Sequence, residues 1–256
     1  MRTTSGSSRT ASSRRSRRAI RSATVIAPRA GEIIGDAPDR RVEILSDVDG
    51  LHATWSRFAA GRDGADLHVH ERHTDLFYVL EGELTLRRGP TGDEVVVPAG
   101  SLALVPPLVV HGFRNGSDAD VRYLNLHAPG RGFADYMRAL RDGRPAAYDQ
   151  WDPPPDGGRP PTDVIVTRDG PVLADTAEIA VVRLSCAPGA APGPAALPGH
   201  VVSFYVLAGE LTLSGGERDI QAPAGSWAQV PAGVAHAISA AGAEPVHLLS
   251  IWTPAR

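Results

Sequence analysis

From residue 25 onward, apolar and polar positions alternate in short runs broken by Gly, Pro and Asp, a pattern of strands rather than helices. VIAPRAGEIIG, RRVEILSD and LHATWSRFAAG give three such runs, and the centre of LHATWSRFA alternates like a strand with one face in a core. DLFYVLEGELTLRRG at 75–89 reads as strand, turn at Glu81-Gly82, and strand, with Asp75, Phe77 and Val79 sharing a face. The tract 93–117 gives VVVPAGS, a strand entering a turn, then LALV, the Pro106-Pro107 corner and a strand carrying His111. VRYLNLHAP at 121–129 places Tyr123, Asn125 and His127 on one face and Leu124 and Leu126 on the other. Strands about 8–12 residues apart predict an all-β sandwich or barrel. One tract changes period: in GFADYMRALRDG at 132–143, Phe133, Tyr136, Met137 and Leu140 recur every three or four residues, which predicts a helix closed by Gly143 and Pro145.

The plan then repeats. FYVLEGELTL at 77–86 returns as FYVLAGELTL at 204–213, PAGS at 98–101 returns at 223–226, and LALVPPLVVH at 102–111 is echoed by WAQVPAGVAH at 227–236. Offsets of 127, 125 and 125 residues mean two copies of one domain rather than a solenoid. Between them YDQWDPPPDGGRPPTD at 148–163 is too rich in proline and glycine for regular structure and reads as a linker. The expected organisation is a disordered basic tail at 1–24, a first domain at 25–147, the linker, and a second domain at 164–256.

Composition narrows the function classes. Gly at 27 and Pro at 22 fit many strands joined by turns. The formal charge of −3 conceals seven arginines and no acid in residues 1–24, so the remainder carries about −10. A net-acidic body argues against specific nucleic-acid binding. Cys186 is alone, which excludes an intrachain disulfide framework. The longest apolar run, LALVPPLVV, is interrupted by two prolines and far too short for a membrane span. With no apolar segment following the tail's arginines to make a signal peptide, the expected location is the cytoplasm.

The candidate chemistry sits in HVHERHTDLFYVLEGE at 68–83. Strand period points His68 and His70 the same way, and Asp75 joins them only if the intervening ERHT bends, because its separation has the wrong parity. His111 is the fourth member. Three imidazoles and a carboxylate suit a divalent transition metal, such as Fe, Mn, Ni, Zn or Cu; the bland alternative is ordinary histidines on a hairpin. His73 can share the Asp75 face as a ligand, a hydrogen-bond donor or a proton shuttle, or sit exposed in a polar loop. His127 is equally a catalytic or a core histidine. Phe77, Val79, Leu104 and Val109 are apolar and Tyr123 and Asn125 modestly polar, so the interior suits an uncharged or aromatic oxygenated small molecule. A phosphosugar would call for Arg or Lys there.

These blocks resemble the cupin superfamily, in particular a two-domain bicupin. The first motif, G(x)5HxH(x)3–4E(x)6G, appears as His68, His70, Asp75 and Gly82, with Asp75 where most relatives have Glu. The second, G(x)5PxG(x)2H(x)3N, appears as Gly100, Pro106, His111 and Asn115, with Leu108 replacing its internal glycine. The resemblance covers about residues 25–255 and implies two tandem double-stranded β-helix (jelly-roll) barrels. It implies His68, His70, Asp75 and His111 as metal ligands, with His73 or His127 as the catalytic base. The activity it implies is that of a metal-dependent dioxygenase; alternatives are an isomerase, a decarboxylase, or a non-catalytic module that binds or senses a small molecule. Edge strands of such barrels make a homodimer plausible. The second copy keeps His236 for His111, but has Ala195 and Leu197 for His68 and His70, Val202 for Asp75, and His200 for His73. That copy is expected to be structural, or an apolar pocket lined by Phe204, Trp227 and Val230.

Overall fold

The computed structural model describes residues 22–190, 196–215 and 218–255. Residues 1–21 of the basic tail, and Ala195, lie outside the described residues. In chain order come β1 (Thr24–Ile26), β2 (Glu32–Ala37), β3 (Arg40–Val48), β4 (Leu51–Phe58), β5 (Thr74–Glu81), β6 (Glu83–Arg88), β7 (Asp93–Pro98), β8 (Leu102–Val105), β9 (His111–Arg114) and β10 (Val121–Ala128). Helix α1 (Phe133–Arg141) and a 3-10 turn at Pro161–Asp163 follow. Then come β11 (Ile165–Thr167), β12 (Val172–Asp175), β13 (Ala180–Cys186), β14 (His200–Ala208), β15 (Glu210–Ser214), β16 (Ile220–Pro223), β17 (Trp227–Val230), β18 (Ala237–Ala240) and β19 (Val246–Pro254).

The expected all-β repeat is present, and each copy is a large sheet faced by a small one. The first has the order β11-β8-β5-β10-β4-β3-β2 opposite β7-β6-β9, the second β1-β17-β14-β19-β13-β12 opposite β16-β15-β18. Strand pairing among the described residues leaves these sheets separate, so each copy is the pair of facing sheets of a jelly roll, with no sheet closed into a continuous barrel. The reason is local. Gly82 at φ +73° turns the chain out of β5 and into β6 of the opposite sheet, where a Cβ would meet the Asp120 carbonyl oxygen at 2.6 Å. Gly209 does the same between β14 and β15, at φ +78° and 2.5 Å from the Pro245 carbonyl oxygen.

Two edge strands cross between the copies. β1, ahead of the first copy in sequence, pairs with β17 of the second, while β11, ahead of the second, pairs with β8 of the first. Thr24, placed in the tail by its surroundings in sequence, pairs with Gln229.

Alternation sorts each strand between two cores. Phe77, Val79, Ala103, Val105, Val121 and Tyr123 pack with Leu84, Leu86 and Val97 inside the first copy. Their neighbours Leu76, Tyr78, Leu102, Leu104, Leu124 and Leu126 face the other way, onto Tyr205, Trp227, Leu249 and Ile251 of the second copy. Two expectations are corrected here. Leu104 pairs with Leu76 and shares its face between the copies, so it does not reach the first interior. Trp227 lies in the same inter-copy core, whereas Phe204 and Val230 lie inside the second copy. Trp227 and Val230 are three positions apart on one strand, an odd step that puts them on opposite sheet faces and rules out a shared pocket. No helix among the described residues is long and apolar enough to cross a membrane.

Candidate metal centre

His68 and His70 precede β5 in a stretch clasped on both sides. The His68 N–H donates to the His111 carbonyl (2.8 Å) and the His111 N–H returns a bond to His68 (2.9 Å). Val69 exchanges the same pair of bonds with Trp151 at 2.9 and 3.0 Å. The chain bends at Glu71 and Arg72, whose N–H groups donate to the Asp149 carboxylate at 3.1 and 2.8 Å. That bend supplies the parity change that Asp75 needs.

The side chains of His68, His70 and His111 converge, with ligand atoms all within 4.8 Å of one another, and are 6%, 3% and 1% exposed. The Nε2 atoms of His68 and His70 are 3.2 Å apart. Asp75 Oδ2 lies 3.3 Å from His111 Nε2 and 3.8 Å from His70 Nε2. Each of the three rings turns Nδ1 onto a backbone carbonyl: His68 onto Asp66 (2.6 Å), His111 onto Val109 (2.9 Å) and His70 onto Asp149. A carbonyl only accepts, so Nδ1 carries the hydrogen and each Nε2 presents a lone pair inward. Lone pairs 3.2 Å apart repel unless a cation lies between them. Two donors about 2.1 Å from one ion stand about 3.0 to 3.4 Å apart at right to tetrahedral angles, so these separations fit a common metal. Burial first, then the His111 and His70 rings, push His68 down to about 3, which keeps it a neutral donor at neutral pH. Burial opposes ionisation of Asp75, but the imidazoles around it, His127 foremost, outweigh it and hold the carboxyl well below its ordinary value. Asn125 Nδ2 donates to Asp75 Oδ1, fixing the short side chain so that Oδ2 faces the histidines.

A second set of groups adjoins the first. His73, which the sequence allowed to be exposed, is 1% exposed, and its Nδ1–H donates to Asp149 Oδ2 at 3.0 Å. The Tyr148 hydroxyl donates to His73 Nε2 at 3.2 Å and accepts from His127 Nδ1 at 2.8 Å. His127 Nε2 lies 3.3 Å from Asp75 Oδ1. The links from Asp149 through His73, Tyr148 and His127 to Asp75 need a proton each. Neutral imidazoles and the phenol supply one fewer than that, so the chain is complete only when it holds one additional proton. Burial pushes His127 down despite the opposing pull of Asp75, and pushes Tyr148 up, so both groups are held neutral.

A cavity of about 250 Å³ opens onto His68, His70, Asp75 and His127. Helix α1 forms one wall through Phe133, Tyr136, Met137 and Leu140; β4 adds Thr54, Ser56 and Phe58, and Phe113 another side. Arg40 and Arg62 also line it, which removes the premise that led from the sequence to an uncharged ligand. Sequence reasoning missed Tyr148, Asp149 and Arg40. The first two lie in the presumed linker, where only an aromatic-acid pair ahead of the prolines marked them. It also missed His52, buried beside His127 and Phe133, with no hydrogen-bond partner for either ring nitrogen among the described residues.

In the second copy His236 keeps the bond from Nδ1 to a carbonyl, that of Val234, at 3.1 Å. Val202 is buried among apolar neighbours, Leu197 packs against them, and His200 is exposed. Among the described residues no other metal-binding group accompanies the first.

The chain is 31% identical over 110 residues to quercetin 2,3-dioxygenase of Bacillus subtilis, a match that covers 43% of this chain and spans only 32% of that relative. Its fold resembles an oxalate decarboxylase from Bacillus subtilis, with TM-score 0.63 and 16% identity over 90% of this chain and 77% of that one. A putative glyoxylate-induced protein from Pseudomonas aeruginosa has TM-score 0.62 and 17% identity over 93% and 91%. The Cupin domain model matches residues 54–127 and again 182–252, together more than half of the chain, and the protein therefore belongs to the cupin family, as a bicupin with a buried three-histidine cluster in its first copy.

Proposed function

We propose that the first copy is a metal-dependent enzyme site for a small oxygenated organic molecule, and that its reaction is of the dioxygenase type. The observation that carries this reading is the convergence of three imidazole lone pairs, each fixed by a carbonyl behind its ring, beside the Asp75 carboxylate. His68, His70, His111 and Asp75 would hold the ion. A bound iron, manganese, nickel, zinc or copper ion would supply Lewis acidity and, for the redox-active metals, a one-electron centre for dioxygen. The protein's own part is separate. The walls from α1, β4 and Phe113 exclude bulk water and orient the ligand. His127 receives or delivers a proton at Nε2, and Tyr148 with His73 passes it toward Asp149.

A second reading, decarboxylation or isomerisation, is favoured by that hydrogen-bonded chain, because it has room for one additional proton, which it could take from a carbon centre or hand to one that has lost a carboxylate. Elemental analysis of protein purified without added metal should find about one transition-metal ion per chain, against almost none in His68→Ala/His70→Ala or His111→Ala. Equal metal in all three would remove the site. With metal present, oxygen uptake on adding catechol or hydroxy-acid compounds supports the dioxygenase, and carbon dioxide release without oxygen uptake supports the second reading.

A further inference from the structure

Arg40 stands at the start of β3 and lines the cavity over the metal centre. Its Nε is sealed from solvent with no acceptor, and no carboxylate among the described residues pairs with it. Other arginines near the first copy's strands behave differently: Arg57 meets Asp120 at 3.1 Å, Arg114 meets Glu94 at 2.9 Å, and Arg62, on the same cavity, meets Asp39 at 3.4 Å. Arg40 is half-buried, and a sealed guanidinium N–H without an acceptor is costly and calls for an explanation; the Arg62 Nε also lacks a hydrogen bond but has the Asp39 carboxylate beside it. Asp63 and Asp75 are the carboxylates on the cavity wall, and Asp75 is engaged by Asn125, His127 and His111.

Strand register places Arg40 relative to the metal. Along β4, Phe58 pairs with Arg40, Ser56 with Val42 and Tyr123, Thr54 with Asn125, and His52 with His127, itself paired with Asp75. The Arg40 side chain folds over Gly35, which pairs with Val42, and its Nε is 3.4 Å from the place a Cβ would take there. The guanidinium therefore sits at the Ser56 and Tyr123 row. From the row of His127 and Asp75 that is four residues, or about 13 Å along the strand. Thr54, Ser56, Phe58, Phe113, Met137 and Leu140 line the space between and around these ends.

We propose that the ligand of this cavity is an organic acid anion, its carboxylate paired with the Arg40 guanidinium, an apolar or aromatic body against Phe58 and Phe113, and its oxygen-bearing far end at the histidine cluster. Arginine's planar fork matches a carboxylate with two parallel N–H donors, and the partly desolvated setting strengthens the pair. The far end of this ligand rests on the metal-site reading; the carboxylate end does not.

The test uses the full-length chain and two probes that differ in one group, 3-(3,4-dihydroxyphenyl)propanoate and its carboxamide, titrated calorimetrically into metal-loaded and chelator-stripped protein. The acid should bind about 10- to 100-fold more tightly than the amide in wild type. Arg40→Gln should bring that ratio to about 1, with Arg40→Lys retaining part of it, while metal content stays at the wild-type level in both. Because the catechol end is common to both probes, the preference survives in stripped protein even if the metal reading fails. A catechol affinity indifferent to metal loading would then count against that reading alone. Equal affinities for acid and amide in wild type, no binding of the acid, or an undiminished preference in Arg40→Gln overturns the proposal. The wild-type comparison decides it even if the Gln variant does not fold.

Discussion

Leu108 stands where the second motif has glycine, and the backbone keeps the glycine's conformation: φ is 67°, in the left-handed region. The turn is held by the Leu108 N–H to the His70 carbonyl (2.7 Å) and by the Arg159 N–H to the Leu108 carbonyl (2.9 Å), so the chain cannot relax out of it. An L-residue there costs about 1–2 kcal/mol, and its side chain, 43% exposed, recovers little by packing. Leu108→Gly relieves that strain but loosens the unfolded chain by about 0.4–1 kcal/mol. The expected net result is a gain of up to about 1.6 kcal/mol in denaturant unfolding with unchanged metal content; a loss of that size would mean that the exposed leucine packs on something. At this scale the sequence discloses donors and hides their supports. His68, His70 and His111, which the structure brings together, are legible because residue type and spacing are written locally. Arg40, Tyr148 and Asp149 are not, because each acquires its role from a neighbour far along the chain, as Asp149 does from His73 at 76 residues' distance.

Elements were legible where one periodicity decides them, and less so where a segment has none. The strands of the repeat follow from alternation, and α1 lies within its expected range, but its apolar stripe was readable only as a core-facing surface. In the fold Phe133, Met137 and Leu140 wall the cavity. The segment 148–163 shows the larger difference. It forms little regular structure, as its prolines dictate, yet it straps the metal-binding stretch through Trp151 against Val69 and through Asp149. The Asp149 carboxylate accepts from the Glu71 and Arg72 N–H groups, from His73 Nδ1 and, at 3.2 Å, from the Trp151 indole N–H. Asp149→Ala removes all four bonds while leaving the backbone carbonyl behind His70. It should cost about 1–3 kcal/mol in unfolding and weaken metal binding about 10- to 100-fold in chelator competition. Asp149→Asn keeps an acceptor for the bend and should lose less. Unaltered metal affinity in Asp149→Ala would mean that the strap plays no part in setting the histidines.

At the scale of the whole molecule, the repeat predicts two copies but not how they are joined, since identical strand patterns are compatible with separate or interlocked units. The structure interlocks them. β1 and β11 are exchanged between the copies, the large sheets share one apolar core, and Gln229 of the second copy donates through Nε2 to Ser46 of the first at 2.8 Å and to Ser203 at 3.0 Å. Trp227, 1% exposed, is the more deeply buried of the two tryptophans in that shared core and lies remote in sequence from every candidate ligand. If the copies fold as one body, Trp227→Ala opens a cavity that destabilises both by about 3–5 kcal/mol. Scanning calorimetry should then show one transition moved to lower temperature, and release of metal from the first copy should move with it. Two separable transitions, with metal release unmoved, would mean that the first copy stands alone. The prediction discriminates because Trp227 belongs by sequence to the copy without a metal cluster, so the first copy's metal can respond to its loss only through the shared core and exchanged strands.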